Sequence, residues 1–264
     1  MLVLGLSLSA EPVAGIPWLT NSMIYSLVVA CAIAGIAQLA TRRMAYVPSG
    51  FQNFFETIIE GVYGMIEGIV GHHMIKRTFP LLCTLFLYIL VANWASLVPG
   101  VGSIGWGHAT EHGFHVAKPI LRPPNADVNM TGAMTIVFFV MWAVWVWQEQ
   151  GPWGFITHTF APKGVKGLVA LALAPIFFAV GGIEIISIAL RGVSLPIRLF
   201  GNNFAGENLL HAMGSITPWW GANCVILILF YFLELLIGLV QALVFMLLCS
   251  VYIQLNTAHE EGGH

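Results

Sequence analysis

Arg198 is the residue of this sequence that points most directly to chemistry, because it lies inside a long apolar stretch. It occurs in the run of residues 194–202, SLPIRLFGN. A guanidinium keeps its proton even in hydrocarbon, so placing it at membrane depth costs at least about 2.5 kcal/mol. Such a residue indicates an ion path or a counter-charge. The alternative is an arginine near a helix end whose head reaches the lipid headgroups, but apolar sequence continues for several turns on both sides.

A polar stripe runs along the same segment. Its four members are seven, seven and four positions apart: Glu184, Arg191, Arg198 and Asn202. At 3.6 residues per turn these spacings keep all four on one helix face. Glu207 lies off this face by about a third of a turn or more, and His211 follows Glu207 at i+4.

A second pair of polar residues lies in the last apolar segment, where Glu234 and Gln241 are seven positions apart. Polar groups inside a membrane need partners or water. We therefore expect the two helices to face each other, with Arg198 near Gln241 and Glu207 near Glu234. The alternative is that these groups serve only as polar contacts between helices.

Composition sets the class of protein. Hydrophobic residues make up 58% of the 264 residues and charged residues 8%, against roughly 25% charged in a soluble domain. A soluble chain with this balance could not cover its surface with polar groups. The four cysteines fall singly in apolar segments, without metal-ligand spacing, and indicate neither disulfides nor a zinc site.

The sequence predicts an all-α polytopic membrane protein with a single membrane domain. Five apolar segments are long enough to cross a hydrocarbon core of about 30 Å: residues 17–40, 79–98, 129–148, 167–213 and 222–255. In residues 51–71, Glu56, Glu60 and Glu67 interrupt an apolar pattern at helical spacing. That pattern favours an amphipathic helix at the membrane interface with a solvated acidic face. A functional role for these carboxylates is the less favoured alternative.

The distribution of basic residues predicts the orientation. One side carries Arg42, Arg43, Lys76, Arg77, Lys163 and Lys166, and the other carries Lys118 and Arg122. The positive-inside rule places the larger set in the cytoplasm. Residues 1–16 are then an exported tail, residues 99–128 a periplasmic loop and residues 256–264 a cytoplasmic tail.

The last two helices are too long for a simple vertical crossing. Residues 167–213 would extend about 70 Å and residues 222–255 about 50 Å. They must tilt steeply or kink, and Gly181, Gly182 and Pro196 are available as kink points. Two steeply tilted neighbours could cradle a curved partner.

The run of residues 198–207, RLFGNNFAGE, closely resembles the signature of subunit a of F-type ATP synthases. Three further segments resemble that family in the same order: residues 79–81 through Asn93 to Gly100, residues 124–131 (PNADVNMT), and residues 241–246 (QALVFM) followed by Val251 and Tyr252. One such motif would be weak support, but four in the right order and topological positions are strong.

The resemblance implies a stator subunit with no catalytic chemistry of its own, which provides two proton half-channels. It would face a ring of c subunits, contact the b-subunit peripheral stalk and couple proton flow to rotation and ATP synthesis in a bacterial inner membrane. Arg198 would be the essential arginine facing the ring, and the residues lining the access paths would be Asn202, Glu207, Glu234 and Gln241. Further lining candidates are Glu184, Arg191, His211 and Asp127. No cofactor, metal or nucleic-acid partner is expected.

Two departures from the family pattern are visible. Pro196 precedes the arginine by two residues, where it would bend the helix locally. Glu207 and Glu234 are both carboxylates, whereas many relatives pair an acid with histidine. Two close carboxylates disfavour joint ionisation, so one of the two could hold a proton.

Three other functions are weighed against this one. A sodium-translocating version of the same subunit differs in groups carried by the c subunit. A small-molecule secondary transporter would usually show repeated halves, and the sequence has no such internal symmetry. Haem ligation would require paired histidines within membrane spans, but only His211 lies well within a predicted helix.

Overall fold

The structure of this chain, a computed structural model, describes residues 20–42, 44–45, 50–98, 101, 105–110, 113–119, 122–160, 168–216 and 220–257. The predicted exported tail and most of the predicted cytoplasmic tail lie outside the described residues, as do Arg43, Lys163 and Lys166.

The described part of the chain is built from α-helices, which confirms the predicted fold class. Its six helices are α1 (Asn21–Thr41), α2 (Phe51–Val70), α3 (His72–Ser96), α4 (Val128–Phe160), α5 (Leu168–Ile216) and α6 (Trp220–Thr257). All but α2 contain a stretch long and apolar enough to cross a membrane. A short 3₁₀ turn, Pro124–Ala126, precedes α4.

The segment predicted as a plain loop between α3 and α4 contains a β-hairpin. Strand β1 (Gly105–Thr110) pairs antiparallel with β2 (Gly113–Pro119), from Gly105 opposite Pro119 to Thr110 opposite Gly113, with an irregularity after Trp106. Six of the fifteen residues from 105 to 119 are glycine or histidine, and the stretch shows no strong alternation of apolar and polar residues. The strand signal that periodicity normally provides is therefore absent.

Two glycines explain where helix boundaries differ from the predicted ones. Gly71 has φ 82°, a conformation that glycine adopts at little cost, and it lets α3 begin directly after α2, seven residues before the predicted start at 79. Gly151 has φ 71° and ψ 165° inside α4, so that helix kinks there and then continues to Phe160. Sequence periodicity carries no direct signal for either backbone state.

Each of the two long helices is continuous. Helix α5 has 49 residues and passes through Pro175 and Pro196, which gives it a length of about 73 Å. Helix α6 has 38 residues and extends about 57 Å. Helix α5 thus continues through Pro196, where the sequence offered a possible break.

The core lies where α3, α4, α5 and α6 meet. It is filled by large apolar side chains that are at most 1% exposed, among them Leu82, Ile89, Phe138, Leu195, Leu199, Phe245 and Met246. Helix α2 adds the stripe Val62, Ile66 and Val70 at i, i+4 spacing, while its Glu56 and Glu60 are exposed. This one-sided burial is what the amphipathic pattern predicts.

The bundle has two ends, which we name by an acidic residue in each. The Asp127 end holds the starts of α1 and α4 and the end of α3. There Ser22 Oγ of α1 donates a hydrogen bond to Asp127 Oδ2 beside α4, and the Tyr25 hydroxyl of α1 donates one to the Ala95 carbonyl of α3. The Glu149 end holds the start of α3 and the end of α6, and there Arg77 Nη1 lies 2.8 Å from Glu149 Oε1. Helix α1 begins at the Asp127 end and α6 finishes at the Glu149 end, as five crossings require.

Candidate functional site

Arg198 lies on a face of α5 that points away from the core. Its neighbours Val193 and Ile197 are 55% and 56% exposed, and Arg198 is itself exposed. Among the described residues it makes no hydrogen bond or ion pair. A permanent cation therefore stands on an apolar surface with no counter-charge from the described part of this chain.

A shallow groove of about 640 Å³ runs along this face. It is lined by five aliphatic side chains, two serines and the two arginines of the predicted stripe, Arg191 and Arg198. An adjoining face of α5, about a quarter turn from Arg198, is buried, and its members recur every three or four residues: Leu195, Leu199, Asn203 and Gly206. The burial of that face fixes the direction in which Arg198 projects.

Two amide groups on α5, one turn beyond Arg198, have no hydrogen-bond partner in the part of the chain that the structure describes. The Nδ2 atoms of Asn202 and Asn203 are both shielded from solvent, and neither has a hydrogen-bond partner among the described residues. Asn203 is only 6% exposed. Buried donors are normally satisfied by protein or by ordered water, so these groups indicate a place where water or a polar partner enters.

Glu234 of α6 is buried against α5. It is 7% exposed, and a Cβ built on Gly206 would overlap its carboxylate. The carboxylate thus occupies room that only glycine leaves free. Gly206 directly precedes Glu207, which is half-buried. The structure therefore brings Glu234 to the part of α5 where the sequence placed its partner.

The other stripe residues are distributed along the same helices. Gln241 and Glu184 are both half-buried. Arg191 lies over the ring of Tyr252, with its guanidinium carbon 4.8 Å from the ring centroid. His211 belongs to α5, and its side chain lies outside what the structure describes.

Asp127 is held at the opening of α4. It is 2% exposed, and its Oδ2 accepts a hydrogen bond of 2.6 Å from Ser22 Oγ on α1. Its Oδ1 accepts one of 3.0 Å from the backbone N–H of Asn129. These bonds tie the first helix to the fourth, so Asp127 has a structural role in addition to any in an access path.

A second buried chain of hydrogen bonds lies at the Asp127 end. Asn125 Nδ2 donates to Asn93 Oδ1 at 2.6 Å, and Asn93 Nδ2 donates to the carbonyl of Gly238 at 3.0 Å. Asn125 is fully buried, and its Oδ1 has no partner among the described residues. This chain connects the 3₁₀ turn, α3 and α6, and it leaves one more polar atom for water.

Sequence reasoning did not single out Gly206, Tyr252, Asn93 or Asn125 as site residues. Gly206 and Asn125 lie inside motifs that the sequence displays, and Asn93 is a polar residue within an apolar span. Tyr252 belongs to the last of these motifs, but the motif does not reveal its contact, because that depends on which residue of another helix reaches it. Within the described residues, no group of three or more histidine, cysteine or acidic residues could hold a metal ion.

Comparison with known proteins assigns the chain to a family. A family model described as ATP synthase A chain matches residues 23–254. The chain is 32% identical over 239 residues to ATP synthase subunit a of Citrifermentans bemidjiense, covering 90% of this chain and 88% of that protein. It is 30% identical over 257 residues to ATP synthase subunit a of Mycobacterium ulcerans, covering 94% and 92%. The chain therefore belongs to the ATP synthase subunit a family, and it is a membrane-embedded subunit of the ATP synthase complex.

Proposed function

We propose that this chain conducts protons through the membrane part of ATP synthase by two half-channels, with Arg198 facing a rotating ring of c subunits. The observation that carries the proposal is the position of Arg198 on an exposed apolar face of α5. A cation on such a face is stable only if an anionic or strongly polar partner meets it from outside. A carboxylate on a ring helix is a partner of that kind.

The proposed mechanism follows from the charge state of the ring carboxylate. A ring carboxylate crosses the lipid in its neutral form, because an ion in hydrocarbon is costly. When it reaches Arg198, Coulomb attraction favours the ionised form, so its proton is released into one half-channel. Further rotation brings it to the other half-channel, where it is protonated again.

Arg198 also separates the two half-channels. A guanidinium does not give up its proton under ordinary conditions, so it cannot relay one, and its fixed charge repels protons that approach from either side. Each charge moved through a potential of about 100 mV yields about 2.3 kcal/mol, so several protons together can drive ATP synthesis.

The access path at the Asp127 end is supported by the buried polar groups there. Glu234 and Glu207 supply carboxylates, and Asn202 and Asn203 supply unpartnered amide donors. Asp127 lies at the same end and Gln241 lies two turns along α6 from Glu234. These groups suit a file of water leading toward Arg198, and Glu184 lies on the exit side.

The proposal also includes the orientation of the chain in the membrane and the positions of its partner subunits. The excess of basic residues at the Glu149 end favours a cytoplasmic location for that end in a bacterial inner membrane, with the N-terminus outside. The c-ring would lie along the grooved face of α5, and the b-subunit peripheral stalk would bind elsewhere on the chain.

Replacement of Arg198 tests the proposal. In the assembled complex, Arg198→Ala should abolish proton-driven ATP synthesis and open a passive proton leak, because the barrier charge is lost. Arg198→Lys keeps a charge but loses the planar fork, and it should reduce synthesis at least 100-fold. Synthesis and leak are measured in membrane vesicles per amount of assembled complex.

The control is Arg42→Ala, which removes an exposed arginine at the end of α1 and should leave coupling intact. Normal coupled synthesis by Arg198→Ala would contradict the proposed function.

A further inference from the structure

Arg191 and Arg198 line the same groove but differ in how they are held. Arg198 is exposed and makes no hydrogen bond or ion pair among the described residues. Arg191 is half-buried, with its guanidinium carbon 4.8 Å from the centroid of the Tyr252 ring. That distance lies within the range of a cation–π interaction, which strengthens where water is excluded. Arg191 is therefore held by a contact within the chain, whereas the Arg198 side chain projects from the groove.

Tyr252 is itself anchored to a third helix. Its backbone carbonyl accepts a hydrogen bond of 3.1 Å from Trp142 Nε1 on α4, and Trp142 is 8% exposed. The same carbonyl accepts another of 3.1 Å from Asn256 Nδ2, one turn further along α6. The ring that holds Arg191 is thus part of a junction between α4 and α6.

Helix α4 also contacts α5 beside Arg191. A Cβ built on Gly192 would lie 3.6 Å from Cε2 of Phe139, which is ordinary van der Waals contact. Phe139 packs edge-on against Trp142, with ring centroids 5.9 Å apart. At this level α5 is therefore held on one side by Phe139 and on the other by Tyr252.

The next two turns of α5 fix its register less strictly. The buried residues of the next two turns, Leu195 and Leu199, are aliphatic, and aliphatic contacts have little directional preference. A slip of α5 by one residue would turn Arg198 by about 100° and move it about 1.5 Å. A misplacement of about 1 Å can cost about 100-fold in rate when geometry is critical.

We propose that Arg191 and Tyr252 form a cation–π clasp that fixes the rotation of α5 against α6 and so positions Arg198 toward the ring. Both are positioning residues, and the inference rests on the proposed function of Arg198. Arg191 lies seven residues, or about 10 Å, from Arg198 along the helix. The clasp is thus close enough along α5 to set the direction of Arg198.

Substitutions at Tyr252 separate the effect of the aromatic ring from that of the hydroxyl. Substitutions at Arg191 separate the effect of the charge from that of the side-chain volume. Tyr252→Leu removes the aromatic face and Tyr252→Phe keeps it. Arg191→Met removes the charge at similar length, and Arg191→Lys keeps a cation that can still lie over the ring. All are measured in the assembled ATP synthase, as ATP-driven proton pumping per amount of complex.

Tyr252→Leu and Arg191→Met should each lower pumping at least 10-fold, while Tyr252→Phe and Arg191→Lys should stay within about threefold of the parent. The double variant Tyr252→Leu with Arg191→Met should be no worse than the poorer single variant, because both break one contact. A loss in Tyr252→Phe equal to that in Tyr252→Leu would overturn the proposal, as would strictly additive losses.

A register readout distinguishes positioning from a general loss of stability. Ser194→Cys and Asn202→Cys lie on the face of Arg198, one turn to either side, and each is crosslinked to cysteines along the ring helix. In the parent each should have one preferred partner, and Tyr252→Leu should shift or spread that preference. An unchanged pattern in Tyr252→Leu would overturn the clasp.

Arg198→Ala run in parallel keeps the two proposals apart. If Arg198→Ala is inactive and Tyr252→Leu pumps normally, only the clasp is wrong. If Arg198→Ala remains coupled, the proposed function is itself wrong.

Discussion

Glu234 and Gly206 show how a single missing side chain can decide where a carboxylate lies. The carboxylate of Glu234 occupies the volume that a Cβ at Gly206 would need, and Glu234 is 7% exposed there. Because the side chain of a glutamate is flexible, a larger residue at 206 would displace it rather than prevent folding. Position 206 therefore controls the placement of a candidate channel carboxylate.

Gly206→Ala should lower proton conduction about 10-fold while the complex still assembles, because the carboxylate would move away from α5. Gly182→Ala on the same helix is the matched control, since nothing lies within 4 Å of a Cβ built there. Proton flux through both variants is measured in vesicles depleted of the soluble ATPase head. Equal fluxes in the two variants would contradict this role for Gly206.

The sequence reveals single residues whose charge is unusual in an apolar segment, but it does not reveal residues whose role depends on a side chain of another helix. Arg198, Glu207 and Glu234 are conspicuous because charge is costly in an apolar segment. Gly206 and Tyr252 lie inside the recognised motifs, but they carry no charge that would mark them in an apolar segment, and the role of each depends on a side chain of another helix. Such a pairing depends on tertiary packing, which local spacing does not encode.

Helices α3 and α6 approach closely at one place, and polar bonds fix that approach. A Cβ built on Gly238 would lie 3.1 Å from the Cβ of Asn93. Asn93 Nδ2 bonds the Gly238 carbonyl at 3.0 Å, and Trp94 Nε1 bonds the Leu235 carbonyl at 3.1 Å. The indole and amide thus reach α6 backbone carbonyls at neighbouring turns.

Asn93→Ala should destabilise the folded protein by about 1–3 kcal/mol, because it leaves the fully buried Asn125 amide without its acceptor. Thr84→Ala is the control on the same helix, since the Thr84 hydroxyl is exposed and, among the described residues, donates just to the Pro80 carbonyl of its own helix. Thermal unfolding of the detergent-solubilised complex gives the comparison. A midpoint for Asn93→Ala equal to that of the control would show that this network contributes nothing to stability.

Element types were more predictable than element boundaries. Long apolar runs can only be helices in a membrane, because each backbone polar group must be satisfied within its own segment. The starts and ends depend on single glycines such as Gly71 and Gly151, whose backbone states are set by the packing of the elements they join. The hairpin of residues 105–119 lacks the alternation of apolar and polar residues that would have predicted its strands.

The two ends of the bundle differ in that a charged ion pair lies at the Glu149 end. The Asp127 end contains buried, mainly uncharged hydrogen bonds among α1, α3, α4 and α6. The Glu149 end contains the ion pair of Arg77 with Glu149, and its Arg77 side chain is 55% exposed. Basic residues at an exposed membrane boundary are typical of the cytoplasmic side, so this asymmetry predicts the orientation of the whole chain.

Thiol labelling at two matched positions tests that orientation. Met44 follows α1 at the Glu149 end and is 75% exposed, and Val98 follows α3 at the Asp127 end and is 53% exposed. In a background without the four native cysteines, Met44→Cys should react with a membrane-impermeant maleimide only in inverted vesicles. Val98→Cys should react only in right-side-out vesicles, because α3 returns the chain to the outer surface. The reverse pattern would invert the proposed half-channels, and labelling of both from one side would contradict the separation of the two ends by the membrane.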